Sequence, residues 1–180
     1  MIITDAGLAG ACIVELERRE DERGFFARSW SVGEFAAHGL NPSLVECDIS
    51  FNHRRGTLRG MHYQAAPHAQ AKVVRCTAGA IYDCIIDLRP DSPTFTRWVG
   101  VELDAENRRA LYVPEGFAHG FQTLVDGAEV AYQMSAVHVA DAERGVRWDD
   151  PAFGIIWPEP VRVISERDRT YPDFVTQAAR

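Results

Sequence analysis

The chain has 180 residues, a length that suits one domain with a complete hydrophobic core rather than two domains. Its 46% hydrophobic and 25% charged content is typical of soluble globular proteins, and a net charge of −7 disfavours nucleic acid as a partner. No apolar run reaches the roughly 20 residues of a membrane-spanning helix, and charges in LERRE at 16–20 argue against a signal peptide. We therefore expect a cytoplasmic protein with no membrane or nucleic-acid partner.

Cysteine usage points to the same compartment. Cys12, Cys47, Cys76 and Cys84 lie at strand-like positions among apolar neighbours, and none belongs to a C-x-x-C pair. This pattern favours four buried thiols over two disulfides. Four reduced thiols fit the reducing cytoplasm.

Most of the chain has the periodicity of short strands. ACIVEL at 11–16 and FFARSW at 25–30 predict the first two strands, and DERG between them predicts a turn. LVECDISFN at 44–52 alternates apolar and polar residues, as a half-buried strand does, so we expect its apolar face to be packed. Further strands are predicted at 72–77, 80–88, 97–103, 109–114, 119–125 and 128–138. Such spacing, with turn residues between, predicts an all-β sandwich or barrel.

A short helix is predicted after Trp30. Ser31 is a candidate N-cap, Glu34 would complete a capping box, and Gly39 would end the helix. Trp30 and Phe35 have the spacing of a hydrophobic staple. We interpret this helix as scaffolding.

The strand pattern ends at about residue 141. Four prolines and several Asp-rich turns follow, which predict an irregular, partly helical tail wrapped over the barrel. TQAAR at 176–180 is expected to fray. The whole chain, 1–180, is thus predicted to be a single domain with this tail.

Two motifs carry the chemistry. The stretch 56–79 places His62, Gln64 and Lys72 between two glycines, and PEGFAH at 114–119 adds His119. These spacings resemble the two motifs of the cupin jelly roll, which usually supply four ligands to a divalent metal. Here Gln64 and Lys72 replace two ligands, and an ammonium group repels a cation, so we expect no metal. Lys72 instead suits stabilisation of a developing oxyanion, and His62 suits proton transfer.

Further segments make a narrower resemblance. They follow one another in register from about residue 5 to 172, together with Tyr132, and they are DERGFF, TLRGMHYQ, AKVVRC, DSPTF, VPEGFAHGF, WDDPAFGIIWP and SERD. Together they resemble the dTDP-4-dehydrorhamnose 3,5-epimerase family. The resemblance implies a homodimeric jelly roll whose subunits exchange N-terminal strands, without metal or other cofactor. It also implies a nucleoside-diphosphate 4-keto-6-deoxyhexose as substrate.

The residues suit that chemistry. A ketone at C4 acidifies the hydrogens at C3 and C5, because removal of either gives an enolate whose charge lies on the ketone oxygen. The resemblance implies His62 as the base, Asp168 as its partner, Lys72 as the enolate stabiliser and Tyr132 as the acid on the opposite face. The substrate-binding positions that it implies are Arg23 and Arg59 for the diphosphate, and Arg28, Glu46, Asp48, Gln64, His119, Glu143 and Arg167.

Four positions depart from the family pattern. Arg28, Glu46, Asp48 and His138 stand where the family commonly has Glu, Gln, Asn and Tyr. Three of them align with positions that contact the nucleotide, so the base of the substrate stays open. His138 leaves open whether one carbon or both are inverted. Because Arg28 and Glu46 change the charge in opposite senses, a compensating salt bridge between neighbouring strands is the structural alternative to a changed nucleotide contact.

Each role has a structural alternative. His119 could secure a turn, Tyr132 could be a core aromatic, and Asp168 could cap a helix. Arg23 could be a plain turn residue. Asp83 is expected to hydrogen-bond one of the histidines without taking part in catalysis.

Three other functions stay open at this point. A metal-dependent cupin such as a dioxygenase would rest on His62 and His119 alone. A sugar-nucleotide-binding module without turnover would explain the altered nucleotide positions. The third is an epimerase that inverts a single centre of a different nucleotide sugar.

Overall fold

A computed structural model of the chain describes residues 1–175. Its α-helices are α1, Val32–Ala37, and α2, Glu166–Arg169, and a 3₁₀ turn spans Ala140–Ala142. The strands β1 to β13, in chain order, are Ile2–Asp5, Cys12–Glu15, Arg19–Asp21, Gly24–Phe26, Glu46–Asn52, Leu58–Gln64, Lys72–Ala78, Ala80–Asp87, Trp98–Asp104, Ala110–Val113, Phe117–Thr123, Ala128–Met134 and Glu143–Gly145.

The strands form two facing antiparallel sheets and a hairpin. One sheet has the order β1-β2-β10-β7-β12-β5, the other has the order β13-β6-β11-β8-β9, and β3 pairs with β4. The six strands predicted between 72 and 138 correspond to β7 through β12. The predicted all-β sandwich is confirmed.

The core lies between the sheets because alternate residues of each strand point inward. Val74 and Leu111 of the six-stranded sheet pack there against Ile81, Ile85 and Phe121 of the five-stranded sheet. All five are almost completely buried. This apolar layer supports one end of a cavity that remains open between the sheets.

Helix α1 covers part of the outer face of the six-stranded sheet. The staple is confirmed, since the rings of Trp30 and Phe35 lie 6.4 Å apart. Gly39 ends the helix at a φ of 71°, and the amides of residues 39 and 40 bond back to the carbonyls of 36 and 35. The capping box is wrong: the Ser31 side chain makes no cap bond, and Glu34 instead accepts from the N-terminal ammonium at 2.6 Å.

Strand β5 corrects a second expectation. Its alternation is as predicted, but Val45, Ile49 and Phe51 on the apolar face are half or more exposed, with Ile49 at 69%. The strand lies at the edge of its sheet, and its polar face turns inward toward the cavity. Cys47 shares the exposed face, so the expectation of four buried thiols is wrong for this cysteine.

The other thiols are closer to expectation. Cys76 and Cys84 are buried, whereas Cys12 is only half-buried. All four are free thiols, as predicted.

The tail wraps over the outer face of the five-stranded sheet. Val146, Phe153 and Trp157 pack against Cys84 and Ile86 of β8. The tail also contains β13, which pairs with β6 and which the sequence did not predict. The predicted fraying of 176–180 lies outside the described residues.

Candidate active site

A cavity of about 800 Å³ opens between the two sheets, on the side of strands β5 and β6. That volume falls within the roughly 300–1,000 Å³ of small-molecule sites. Strands β5, β6, β7, β11 and β12 line it, together with residues 163–168 of the tail. The predicted site residues that line it are His62, Lys72, Tyr132, Asp168, Asp48, Arg59, His119 and Arg167.

A bulge between β6 and β11 positions both imidazoles. His62 and His119 are direct register partners, and two residues later on β11 Phe121 pairs with Arg59, so β6 holds one extra residue. The strands approach very closely here, since a Cβ built on Gly60 would lie 2.5 Å from the Cα of Gly120. Any larger side chain at residue 60 would therefore push the two histidines apart.

The predicted base is paired with a carboxylate from the tail. His62 Nε2 lies 2.7 Å from Asp168 Oδ1, and the Gly60 amide donates to Asp168 Oδ2 at 3.2 Å. Burial raises the pKa of Asp168, but the hydrogen bond and charge of His62 outweigh it, so this pKa is lowered. An ionised Asp168 accepts the Nε2 proton of His62, which leaves Nδ1 with a free lone pair.

A second imidazole–carboxylate pair lies deeper. His119 Nε2 is 2.7 Å from Asp83 Oδ1, which confirms the prediction that Asp83 bonds to a histidine. The two side chains are 5% and 0% exposed. Within residues 1–175, the second carboxylate oxygen of Asp83 is buried without a hydrogen-bond partner.

Lys72, the first residue of β7, contributes a positive charge to the same cavity. Burial lowers the pKa of Lys72, while the charges of Asp83 and Glu143 oppose that effect. In the described part of the chain, its ammonium group takes part in no hydrogen bond or ion pair. A donor of this kind is free to meet an oxygen of a bound ligand.

Tyr132 faces these groups from β12. Its hydroxyl lies 3.1 Å from Ser50 Oγ, and its ring lies 6.1 Å from that of His119. Burial raises the pKa of Tyr132 strongly, and the bond to Ser50 offsets only part of that rise. The phenol is therefore protonated near neutral pH and can donate a proton.

Comparison with known proteins decides the family. The family model described as dTDP-4-dehydrorhamnose 3,5-epimerase matches residues 5–176. The chain belongs to this family. A curated relative of that name from Sinorhizobium fredii is 39% identical over 175 residues, which cover 97% of this chain and 90% of the relative.

Solved structures agree with the dTDP-4-dehydrorhamnose 3,5-epimerase assignment. The enzyme of that name from Bacillus anthracis, with TDP and PPi bound, has a TM-score of 0.92 and 40% identity, over 96% of this chain and 99% of that chain. ChmJ, a 3′-monoepimerase from Streptomyces bikiniensis in complex with dTDP-quinovose, has a TM-score of 0.84 and 33% identity, over 93% and 85%. The predicted cupin-type jelly roll of the epimerase family is confirmed.

Some predicted binding residues of the epimerase family lie outside the cavity of the single chain. Arg23, on the β3–β4 hairpin, is 85% exposed and pairs with Asp21. Arg28 lies 3.6 Å from Glu34, so within the described chain its predicted salt bridge with Glu46 is wrong. Both arginines point to solvent on the N-terminal side of the molecule.

A network at the cavity mouth uses two more predicted residues. Glu46 accepts the His138 amide at 2.9 Å, and His138 Nε2 lies 3.6 Å from Glu143 Oε2. Glu143 also pairs with Arg167 at 3.0 Å. Burial raises the pKa of Glu143, but Arg167 and the nearby histidines outweigh it and lower this pKa. His138 and Arg167 line the cavity. Glu46 and Glu143 bind these two residues and so fix their positions.

Gln64 serves the loop that carries His138. Its amide nitrogen donates to the carbonyls of His68 and Val137 at 2.7 and 3.2 Å, and its oxygen accepts the Val139 amide at 2.6 Å. These bonds occupy the whole amide group. Gln64 is placed to shape the cavity mouth rather than to face the cavity.

Three contributors were missed in the sequence. Ser50 follows Asp48 on the same face of β5, so the alternation itself could have identified it. Ser165 caps α2 by accepting the Asp168 amide at 3.1 Å, and S-x-x-D in SERD is the signal for such a cap. The Tyr171 ring lies 6.2 Å from the His62 ring, and no local pattern indicates that contact.

Two features are absent from residues 1–175. No group of three or more His, Cys, Asp or Glu side chains is arranged to hold a metal ion. No helix in that range has the length and apolar character needed to cross a membrane.

Proposed function

We propose that this family member inverts C3, C5 or both in a nucleoside-diphosphate 4-keto-6-deoxyhexose of the dTDP-4-dehydro-6-deoxyglucose type. The step belongs to deoxysugar biosynthesis. One observation carries the proposal: an imidazole–carboxylate pair, an ammonium group and a protonated phenol share one cavity. These are the base, the oxyanion stabiliser and the acid that inversion next to a ketone requires.

The proposed reaction moves one proton off the substrate and one onto it. His62 Nδ1 removes the hydrogen from C3 or C5, and the electron pair passes to the ketone oxygen as an enolate. The Lys72 ammonium stabilises that oxygen, and Asp168 stabilises the imidazolium. Tyr132 then donates its proton to the same carbon from the opposite face, which inverts the centre. Solvent reprotonates the phenolate and takes the proton from His62, so the cycle balances.

The rest of the substrate would lie toward the cavity mouth. Arg59 and Arg167 line the cavity, and guanidinium groups suit a diphosphate. The relative from Bacillus anthracis carries TDP and PPi, which supports a ligand of this chemistry. Asp48 at the mouth is proposed to contact the nucleotide.

We also propose a homodimer in which the second copy completes the site. The apolar face of β5, with Val45, Ile49 and Phe51, is exposed in the single chain, and such a face is typical of an interface. Arg23 and Arg28 lie outside their own cavity and are available to the neighbouring one. Sedimentation should give a dimer for the native chain and a monomer for Ile49→Asp, while Ile156→Asp in the tail stays dimeric. A native chain that is monomeric and fully active would contradict this proposal.

A single-centre epimerase is the second candidate. His138 lines the cavity where the family commonly has a tyrosine, and ChmJ, a relative of similar fold, is a 3′-monoepimerase. An imidazole and a phenol differ in pKa and in the position of the proton that they donate, which can confine inversion to one carbon.

A single-domain organisation over 1–180 and a cytoplasmic location remain predictions.

Isotope exchange tests the function directly. The enzyme is incubated in heavy water with dTDP-4-keto-6-deoxyglucose, and deuterium is followed by NMR. We expect deuterium at C3, C5 or both, and the pattern distinguishes the two candidates. The same sugar on uridine, cytidine and guanosine diphosphates identifies the base. Tight binding without exchange on any of the four would instead support a binding module.

A further inference from the structure

Asp83 occupies a core position, where an apolar side chain is typical. It lies on the inward face of β8 between Ile81 and Ile85, and all three side chains are completely buried. A carboxylate in such a position is unfavourable unless other groups compensate its charge. Its presence on this face therefore calls for a function beyond packing.

One of its oxygens fixes the orientation of an imidazole. Asp83 Oδ1 lies 2.7 Å from His119 Nε2, and a carboxylate can only accept in that bond. The Nε2 atom of His119 must then carry a hydrogen, so Nδ1 is the nitrogen left for a ligand. The ring is held between Asp83 and the Tyr132 ring, 6.1 Å away.

The other oxygen is left without a partner among the described residues. Asp83 Oδ2 is buried, and it faces the interior from the sheet opposite Lys72. Burial lowers the pKa of Lys72, and Asp83 is the largest opposing charge. The titratable groups that share this cavity with Lys72 or act on its charge are Asp48 on β5, Arg59 and His62 on β6, Asp83 on β8, His119 on β11, Tyr132 on β12, His138 ahead of the 3₁₀ turn, Glu143 on β13, and Arg167 and Asp168 on α2.

Lys72 also differs in type from every other cationic side chain of the sequence except histidine, because those are all arginines. The sequence contains nineteen Lys and Arg residues, and Lys72 is the single lysine among them. Arginine stays charged almost wherever it is placed, but a lysine can lose its proton when it is buried. A site that depends on a lysine cation therefore needs a nearby anion.

We propose that Asp83 is a positioning residue with two targets: one oxygen holds His119 in a single tautomer, and the carboxylate charge keeps Lys72 an ammonium ion. This inference rests on the proposed epimerase function. Without Asp83, Lys72 would lose part of its charge before the enolate forms. His119 would also be free to turn its Nε2 atom toward the ligand.

The test variant is Asp83→Asn, which keeps the shape and removes the charge. We expect exchange into the substrate to slow about 100-fold, the scale for loss of one oxyanion-stabilising interaction. The anion raises the pKa of Lys72, so its removal lowers that pKa. The alkaline limb of the pH profile of kcat/KM should then move to lower pH. Slower exchange with an unmoved limb would indicate a merely structural role and overturn the proposal.

Two further variants separate the targets. His119→Asn keeps the charge of Asp83, so its rate should fall while the alkaline limb stays in place. Asp87→Asn is the matched control, because Asp87 is equally buried on the same face of β8 and pairs with Arg89 outside the cavity. It should lower stability and leave the limb unmoved. If Asp87→Asn moves the limb as far as Asp83→Asn does, the proposal is overturned.

A direct titration needs neither turnover nor a folded variant. Protein labelled with ¹³C at the lysine ε-carbon gives one signal, since the chain has one lysine. We expect this signal to report a charged ammonium in the native protein at pH 8, and a neutral amine there would overturn the proposal. If the native enzyme exchanges no deuterium, the proposed function fails, but this titration still tests whether Lys72 carries the charge that the proposal requires.

Discussion

The cavity contains two imidazole–carboxylate pairs of equal length and unequal surroundings. His62–Asp168 and His119–Asp83 are both 2.7 Å apart. The His62 side chain is 30% exposed, whereas that of His119 is 5% exposed. A half-open imidazole can exchange its proton with solvent between turnovers, and a buried one cannot do so readily.

The two pairs also differ in how the chain builds them. Asp83 and His119 lie on adjacent strands of one sheet, so strand pairing alone brings them together. Asp168 reaches His62 from α2, at a sequence separation of 106 residues. The two pairs therefore have the same bond length and different functions. The outer pair, His62–Asp168, is arranged to transfer a proton. The inner pair, His119–Asp83, is arranged to maintain charge and orientation.

Removing the outer imidazole should have the largest effect. His62→Ala is expected to abolish exchange at both carbons, a loss of roughly 10³-fold or more, because the base that Asp168 orients is removed. Deuterium incorporation followed by NMR measures it. His38→Ala, at the residue that follows α1, is the control and should keep full activity. A fully active His62→Ala enzyme would remove the distinction between the pairs.

Tyr132→Phe separates proton removal from proton return. The outer pair remains intact in this variant, so deuterium should still enter the original configuration. Inversion should fall about 100-fold because the acid on the opposite face is gone. NMR distinguishes exchange with retention from exchange with inversion. Equal losses of both would mean that Tyr132 serves binding rather than proton delivery.

Lys72→Met tests the charge that the inner pair is proposed to maintain. Turnover should fall about 100-fold, since the enolate loses its cation. The free energy of unfolding should fall by roughly 1–3 kcal/mol, because the buried charge of Asp83 loses the cation that opposes it. Urea unfolding and exchange kinetics give the two numbers. A variant that keeps full turnover would contradict the role of Lys72 at the enolate, and one with unchanged stability would contradict its coupling to Asp83.

Local pattern was enough to predict the inner part of the site. Glycine and proline mark the ends of β7 and β11, and the spacing within each motif places Lys72 and His119 on inward faces. Alternation on β8 likewise places Asp83 on the same face as Asp87. The roles of these residues come from the resemblance to the cupin and epimerase motifs, whereas strand periodicity and neighbouring turns predict only the face that each side chain occupies.

The outer part depends on information that short segments lack. Alternation in β5 separates Ile49 from Asp48 but cannot say which face meets the core, and this strand turned its polar face inward. Glu34 had the spacing of a capping box and found a nearby cation instead. The contact of Tyr171 with His62 joins residues more than 100 positions apart, and only the folded tail creates it.

The outer pair should also be visible in the acid stability of the fold. The pKa of Asp168 is lowered in the folded state, so its ionised form stabilises the fold. This contribution is complete above the ordinary value near pH 4 and is lost as the pH falls through the lowered value. Asp168→Asn should therefore lose less stability than the native chain between pH 5 and pH 2 in urea unfolding.

Asp87 provides the reference for that measurement. Burial raises the pKa of Asp87, but bonds from Arg89, Ser92 and Thr94 outweigh it and lower this pKa to about 2. Asp87 is intact in both proteins, so both should retain its acid dependence. Identical curves for the native chain and Asp168→Asn would show that the bond to His62 contributes nothing to stability.

The smallest expected effect concerns the cap that holds the outer carboxylate. Ser165→Ala removes the oxygen that accepts the Asp168 amide, and the loss of such an N-cap costs about 1 kcal/mol. The Gly60 amide still donates to the Asp168 side chain, so exchange should slow only a few-fold. Thr170→Ala, at the other end of α2, is the control and should change neither quantity measurably. A large loss of activity in Ser165→Ala, with stability unchanged, would mean that the hydroxyl itself meets the substrate, since Ser165 also lines the cavity.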